Sequence, residues 1–173
     1  MIRVNLGKGT SWWSTRLHLL SALCADYTEV RQIVFEAEGS RFLCMCTPAQ
    51  ARRALAREYP NVETAYRECL PSPEKMSSNP VGDVSSIVGC FTDEMDKLGG
   101  EETVKQWIAP HLVKLWPGVN KDSFEVPGGA VTRSLFESIV SRKTPFVVLV
   151  RDGNIEHIVD RSALATRLAI SAP

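Results

Sequence analysis

The chain has 173 residues, 44% hydrophobic and 23% charged, which fits one globular domain or two small half-domains sharing a core. Twenty basic residues offset twenty acidic ones, excluding a bulk positive field for nucleic acid or an anionic membrane. The longest apolar run, residues 145–150, is too short to cross a bilayer, and Arg3, Asn5 and Lys8 interrupt any leader-like start, so the expectation is a cytoplasmic protein.

In chain order, residues 2–6 alternate apolar and polar as a short strand, broken at Gly7 and Gly9. Ser11 or Ser14 stands where a helix cap belongs, and Trp13, Leu17, Leu20, Cys24 and Tyr27 then recur at helical spacing. Residues 30–36 read as a strand, Glu38-Gly39-Ser40 as a turn and residues 41–46 as a second strand. Thr47 at a cap and Pro48 at the first helical position predict a helix through Ala51, Ala54 and Leu55, which Pro60 stops.

Residues 70–80 hold three prolines and read as an exposed loop. Val84, Ile87, Val88, Phe91, Met95 and Leu98 form a helical stripe that Gly99-Gly100 ends. Residues 101–116 are predicted to be helical, with a kink at Pro110.

The last third begins with a short strand at 124–126 and a turn at Pro127-Gly128-Gly129. Leu135, Phe136, Ile139 and Val140 mark a helix. Residues 146–150 form a continuous apolar strand, which predicts burial on both faces. Arg151-Asp152-Gly153-Asn154 is a hairpin turn into a strand at 155–159. Asp160 caps a final helix carrying Leu164, Leu168 and Ile170.

The five cysteines (Cys24, Cys44, Cys46, Cys69, Cys90) are an odd, scattered set, a poor disulfide framework. Cys44 and Cys46 share one face of their strand, opposite Met45. No second Cys or His pair accompanies them, and His18, His111 and His157 are isolated, so no metal or other cofactor is expected. Free, buried thiols in a reducing compartment are the expectation.

The two ends repeat. Residues 33–39 lie over 147–153, and after a one-residue difference at the turn residues 41–47 lie over 154–160. Thr47 and Asp160 then coincide at helix caps, and Leu55-Ala56 coincides with Leu168-Ala169. The order is strand–helix–strand–strand–helix, twice. The predicted fold is α/β (α+β): two β-α-β-β-α half-units with a pseudo-twofold relation, at 1–60 and 121–173, plus a loop and helical insert at 61–120.

Residues 144–164 carry a proline, an apolar strand, an Asp-Gly turn, a second strand, a polar cap and a leucine. This run resembles tandem cystathionine-β-synthase-type (CBS) motifs, the Bateman-type module, over roughly the first sixty and last fifty residues. The resemblance implies the paired fold and a regulatory class. Nucleotide-binding members place an Asp three residues after the capping Thr or Ser; here those positions are Gln50 and Ala163. A ligand role would fall instead to Thr47 and Asp160 at the two caps.

Other constellations follow from the residues themselves. Gly7-Lys8-Gly9-Thr10-Ser11 joins a strand to a helix, where backbone amides can cradle an anion; Lys8, Thr10, Ser11 and Ser14 are its candidate ligand residues. It lacks the spacing of a Walker loop. Trp13 fits the apolar stripe and is expected in the core, whereas Trp12 is expected to meet the insert or a partner. Arg52, Arg53 and Arg57 form a basic helical face suited to an acidic partner.

No nucleophile–base pair stands out, so no catalytic residue is assigned. The leading expectation is a non-catalytic regulatory or adaptor module acting through a protein partner or homodimerisation, with a small-molecule ligand as effector. The alternative is a small enzyme with its site between the Gly7–Ser14 turn and the helical insert; a filled junction there would exclude it.

Overall fold

The computed structural model describes residues 1–71, 80–98, 106–126 and 132–164. Its elements are β1 (Ile2–Asn5), α1 (Ser14–Tyr27), β2 (Ile33–Ala37), β3 (Arg41–Cys46), α2 (Pro48–Glu58), α3 (Pro60–Glu68), α4 (Pro80–Lys97), α5 (Pro110–Val113), β4 (Ser123–Glu125), α6 (Arg133–Val140), β5 (Phe146–Arg151) and β6 (Asn154–Asp160). Residues 161–164 open a further helix. Strand–helix–strand–strand–helix therefore occurs twice, with helices between.

The six strands are ordered β1-β2-β3-β6-β5-β4, which reads the same from both edges. In each half the outer strand pairs parallel and the inner two antiparallel. The register carries the repeat further. Ile33↔Cys46, Val34↔Met45, Phe35↔Cys44, Glu36↔Phe42 and Ala37↔Arg41 in β2–β3 have counterparts in β5–β6. Those are Val147↔Val159, Val148↔Ile158, Leu149↔His157, Val150↔Ile155 and Arg151↔Asn154. Even the irregularity recurs, at Phe35/Glu36 and at Leu149/Val150. Just past the edge strands, Leu6 N donates to Glu36 O and Val126 N to Val150 O, again equivalent positions. A bulge is a specific local device, so its recurrence at aligned residues ties the halves together more firmly than element order alone.

The halves meet at Arg41↔Asn154 and through one apolar cluster. Val34 and Met45 from the first half pack with Val148 and Val150 from the second, flanked by Phe42, Phe146, Ile155 and Ile158. Alternate strand residues point the other way, under helices: Val4, Ile33, Phe35, Cys44 and Cys46 in one half, Val147 and Leu149 in the other. Residues 147–150 are thus buried on both faces, as their sequence predicts. The turns agree too: Gly39 and Ser40, and Asp152 and Gly153, all adopt positive φ.

Thr47 caps α2 as expected. Its hydroxyl accepts from Gln50 N at 3.2 Å while Gln50 Oε1 accepts from Thr47 N at 2.8 Å, a reciprocal capping box. Thr47→Ala should cost about 1 kcal/mol in urea denaturation and Thr47→Ser close to nothing; equal losses would mean that the hydroxyl is not the stabilising group. At the second cap, Asp160 Oδ1 accepts from Ser162 N and Ala163 N.

Four expectations change. Trp13, not Ser11 or Ser14, occupies the N-cap position of α1 and supplies no side-chain bond, because Ser14 Oγ instead accepts from Gln106 N at 3.1 Å. Pro60 stops α2 but also opens α3, since the missing N–H of a proline at the first helical position has no intrahelical partner to lose. The predicted helix over 101–116 is only α5 within the described residues. Trp107 pairs with Trp13 as an isolated bridge, and Ile108 N donates to Trp12 O, so this stretch spends its backbone bonds on α1's entry.

The fourth concerns the cysteines. Cys69 and Cys90 form a disulfide with a Cα–Cα distance of 5.6 Å, while Cys24, Cys44 and Cys46 are free and buried. Packing of α3 against α4 through Val62, Ala65, Tyr66, Ile87, Phe91 and Met95 brings the pair together; nothing in their local spacing announces it. Burial pushes the Cys44 and Cys46 thiols up to about 12.

The turn at 127–129, most of the 70–80 loop, the Gly99-Gly100 stop and the Leu168 and Ile170 positions lie outside the described residues.

Candidate functional site

Two glycine amides of the Gly7–Ser14 turn bond internally. Gly7 N donates to Asn5 Oδ1 at 2.8 Å and Gly9 N to Leu6 O at 2.9 Å, so these two amides do not face a ligand. Gly9, at φ +102°, has Pro110 Cδ 3.0 Å from where a Cβ would stand. Lys8 extends toward Glu38 at 3.6 Å in solvent, and Thr10 and Ser11 are exposed. Ser14 is fully buried beneath the insert and cannot reach a solvent-borne ligand. Next to Ser14 the junction is filled by Ile108 and by the Trp13–Trp107 stack, whose centroids are 3.6 Å apart. Beyond the stack, Trp13 and the first turns of α1 (Thr15, Arg16, Leu19) face Phe91, Thr92, Met95 and Asp96 of α4 across a cavity of about 340 Å³, so the junction is not filled throughout.

Trp12 meets the insert, its O accepting from Ile108 N, while Trp13 does not take the core place expected of it. Trp12 packs partly buried against the main core with Val4, Leu17 and Trp116. Trp13 leaves the core to stack on Trp107, itself 41% exposed. The physical reason is the extended backbone at Trp13, which sits before the helix begins and so escapes its periodicity.

The basic face also divides. Arg52 is not a solvated residue: its Nε and Nη2 donate to Glu63 at 3.0 and 2.9 Å, and Nη1 donates to Asp26 at 2.7 Å. Its guanidinium lies 4.7 Å from the Tyr66 ring centroid, and Tyr66 Oη donates to Asp26 at 3.0 Å. His18, fully buried on α1, brings Nε2 to 3.0 Å from Glu63 Oε2, but off-line, so neither ring nitrogen makes an aligned hydrogen bond. Burial drives His18 down to about 4, against the opposing pull of Glu63. Burial raises Glu63, yet hydrogen bonds from Arg52 and Arg67 outweigh that and hold it below the ordinary carboxylate range. A neutral His beside a carboxylate is base-like chemistry, but here His18 is fully buried, Glu63 is 13% exposed and engaged by Arg52 and Arg67, and the group ties α1, α2 and α3 together. Arg53 and Arg57, by contrast, are exposed.

A concave site forms where the halves meet. Segment 117–120 runs across β3: Met45 N donates to Asn120 O at 2.8 Å, and Asn120 N returns to Met45 O at 2.7 Å. Asn120 Nδ2 then reaches Phe146 O in β5 at 3.2 Å. A crevice of about 220 Å³ results, lined by Gln32, Thr47, Gln50, Asn120, Thr144 and Phe146 among others. Thr144 Oγ1 is buried there without a hydrogen-bond partner, which is costly unless something completes it. Thr47 already accepts one bond and keeps its own O–H to give. The capping box and Pro48 leave few free amides at the α2 terminus, so a helix-end phosphate site at Thr47 is largely closed. Asp160 faces a separate cavity with His157 and Leu164, so the two caps do not converge.

In this crevice the sequence marks Thr47, through its Thr-Pro start, and Gln50, three residues on. Gln32, Asn120 and the Thr144–Phe146 stretch come from three separated segments, and no local spacing joins them.

Site and topology define an α/β protein of two β-α-β-β-α units with an inter-unit crevice. No family model and no curated protein matches the sequence. A structural comparison finds similarity to a CBS domain-containing protein of unknown function from Kribbella flavida. Identity is 11%, over 97% of this chain and 91% of that one, with a TM-score of 0.43. Similarity at that level assigns neither family nor function; the two-unit architecture stands on the strand order and register above. Among the described residues no helix is long and apolar enough to cross a membrane, and no group of three potential metal ligands occurs.

Proposed function

We propose that this protein is a non-catalytic regulatory or adaptor module that acts through protein contact and takes a small polar ligand in the inter-unit crevice as effector. The observation that carries this reading is the position of Asn120. Its backbone holds β3 of one half and its side chain holds β5 of the other, so an occupant beside it touches both halves. A ligand bound there changes their relative stability, the elementary requirement for a sensor. The partnerless Thr144 hydroxyl supports a polar occupant.

A melting-temperature panel with adenosine and adenine nucleotides tests the sensing half. At tenfold excess over Kd, binding adds about 1.4 kcal/mol, a rise of about 3–6 °C for a chain of this size. Asn120→Ala should abolish that rise. No shift at millimolar concentration would overturn the sensing role for this ligand class and leave the adaptor reading, which sedimentation of the purified chain then addresses through a self-associated species.

A further inference from the structure

Arg53 and Arg57 stand one turn apart on α2 and face a groove of about 260 Å³ whose other wall is Pro117 and Gly118. Gln50 closes one end, its Oε1 fixed by Thr47 N and its Nε2 donating to Gly118 O at 3.2 Å. Gly118, at φ +74°, brings its backbone so near that a Cβ would lie 2.9 Å from Gln50 Nε2. The floor is Ala54. No carboxylate lines this groove. The neighbouring acids Asp26 and Glu63 are spent on Arg52, on another face of the same helix. Lys114 and Lys121 flank the segment that bears Gly118.

Two like charges at i,i+4 repel along a helix. Here neither has an ion-pair partner among the described residues, although Arg133 and Arg67 each find a glutamate at the same spacing. Guanidinium forks at that separation can bracket one tetrahedral oxyanion, each giving paired N–H donors. We infer that the Arg53–Arg57 groove is a binding site for a phosphate-class oxyanion. Ala54 and the Pro117–Gly118 backbone give it shape, and Gln50 and Gly118 stand between it and the inter-unit crevice, lining both.

Titration of inorganic pyrophosphate into the full chain at low ionic strength, followed by backbone amide shifts and calorimetry, tests this site. Saturable shifts confined to residues 50–57 and 117–118 are expected, with Kd at least tenfold weaker in Arg53→Gln/Arg57→Gln. Both side chains are exposed, so that variant keeps its fold, verified by an unchanged amide spectrum elsewhere. Arg16→Gln, an exposed arginine on α1, should bind like wild type. Absence of saturation, or equal weakening by Arg16→Gln and by the double variant, overturns the site in favour of diffuse charge. Inorganic phosphate and free malonate as further arms separate a phosphate site from a general anion site; malonate binding as tightly as pyrophosphate would overturn the phosphate assignment. The groove adjoins the crevice through Gln50 and Gly118, so the two readings are separated by probe: uncharged adenosine, which carries no phosphate, tests the crevice alone, and pyrophosphate tests this groove.

Discussion

Reducing the Cys69–Cys90 disulfide should lower the unfolding free energy by about 3 kcal/mol, a melting-temperature fall of about 6–12 °C. The bridge closes a loop across a sequence separation of 21 residues. Closing a loop of that length removes chain entropy from the unfolded state, and the logarithmic dependence on loop size gives that magnitude. Locally, the bridge fastens α4 to the end of α3, beside a cluster in which Ile87, Phe91 and Met95 of α4 meet Val62, Ala65 and Tyr66 of α3. Denaturation with and without a phosphine reductant measures the effect, and Cys69→Ser/Cys90→Ser should match the reduced protein and ignore the reductant. Thiol counting in denaturant should find three thiols before reduction and five after, the three being Cys24, Cys44 and Cys46. Five thiols before reduction, or a stability indifferent to reductant, would remove the clasp. In the folded state Cys44 and Cys46 should stay unlabelled, because their burial suppresses the thiolate.

Acidification from pH 7 to pH 5 should cost about 2 kcal/mol through His18 alone. The imidazole is fully buried, and burial lowers it from 6.5 to about 4. The sign follows from proton uptake. Below 6.5 the unfolded chain binds a proton that the folded chain refuses, so stability present above 6.5 is lost progressively as pH falls toward 4. Glu63 acts in a lower window, since its folded pKa lies below the ordinary 4.5; its contribution is present above 4.5 and disappears as pH falls further. Urea denaturation at pH 7, 6 and 5 reads the His18 part. His18→Leu fills similar space without a titrating group and should flatten the slope over that range; an unchanged slope would assign the pH dependence elsewhere. Glu63→Gln at pH 7 should cost about 3 kcal/mol, because Arg52 and Arg67 lose their shared charge partner while Arg52 stays largely buried.

The network around His18 also explains why part of this protein could not be read along the chain. His18, Asp26, Arg52, Glu63 and Tyr66 fall on three helices. From sequence, Arg52 is indistinguishable from Arg53 and Arg57: three arginines on one helix, each compatible with solvent. Only the packing of α1 and α3 against one side of α2 decides that Arg52 is an internal tie while the other two face a groove. Trp12 and Trp13 divide for a similar reason, because an extended residue before a helix does not follow its period. The Cys69–Cys90 pair depends on two helices docking, which no local spacing encodes.

Sequence by itself determined the alternation of strands and helices at both ends, the capping box opened by Thr47-Pro48, the Asp-Gly hairpin, the two-sided burial of β5 and the shared face of Cys44 and Cys46. Each of these rests on period, turn chemistry or capping, which act within a few residues. It also determined the alignment of the two units, because punctuation by turns and caps survives when side-chain identity does not. Tertiary structure alone decided the matching bulges, the inter-unit crevice strapped by Asn120, the disulfide, the buried ion network and the packing of Ile108 and Trp107 at the Gly7–Ser14 junction. Those features are made by segments distant in the chain whose encounter is fixed by which apolar faces bury one another, and that choice is settled only when the whole core closes.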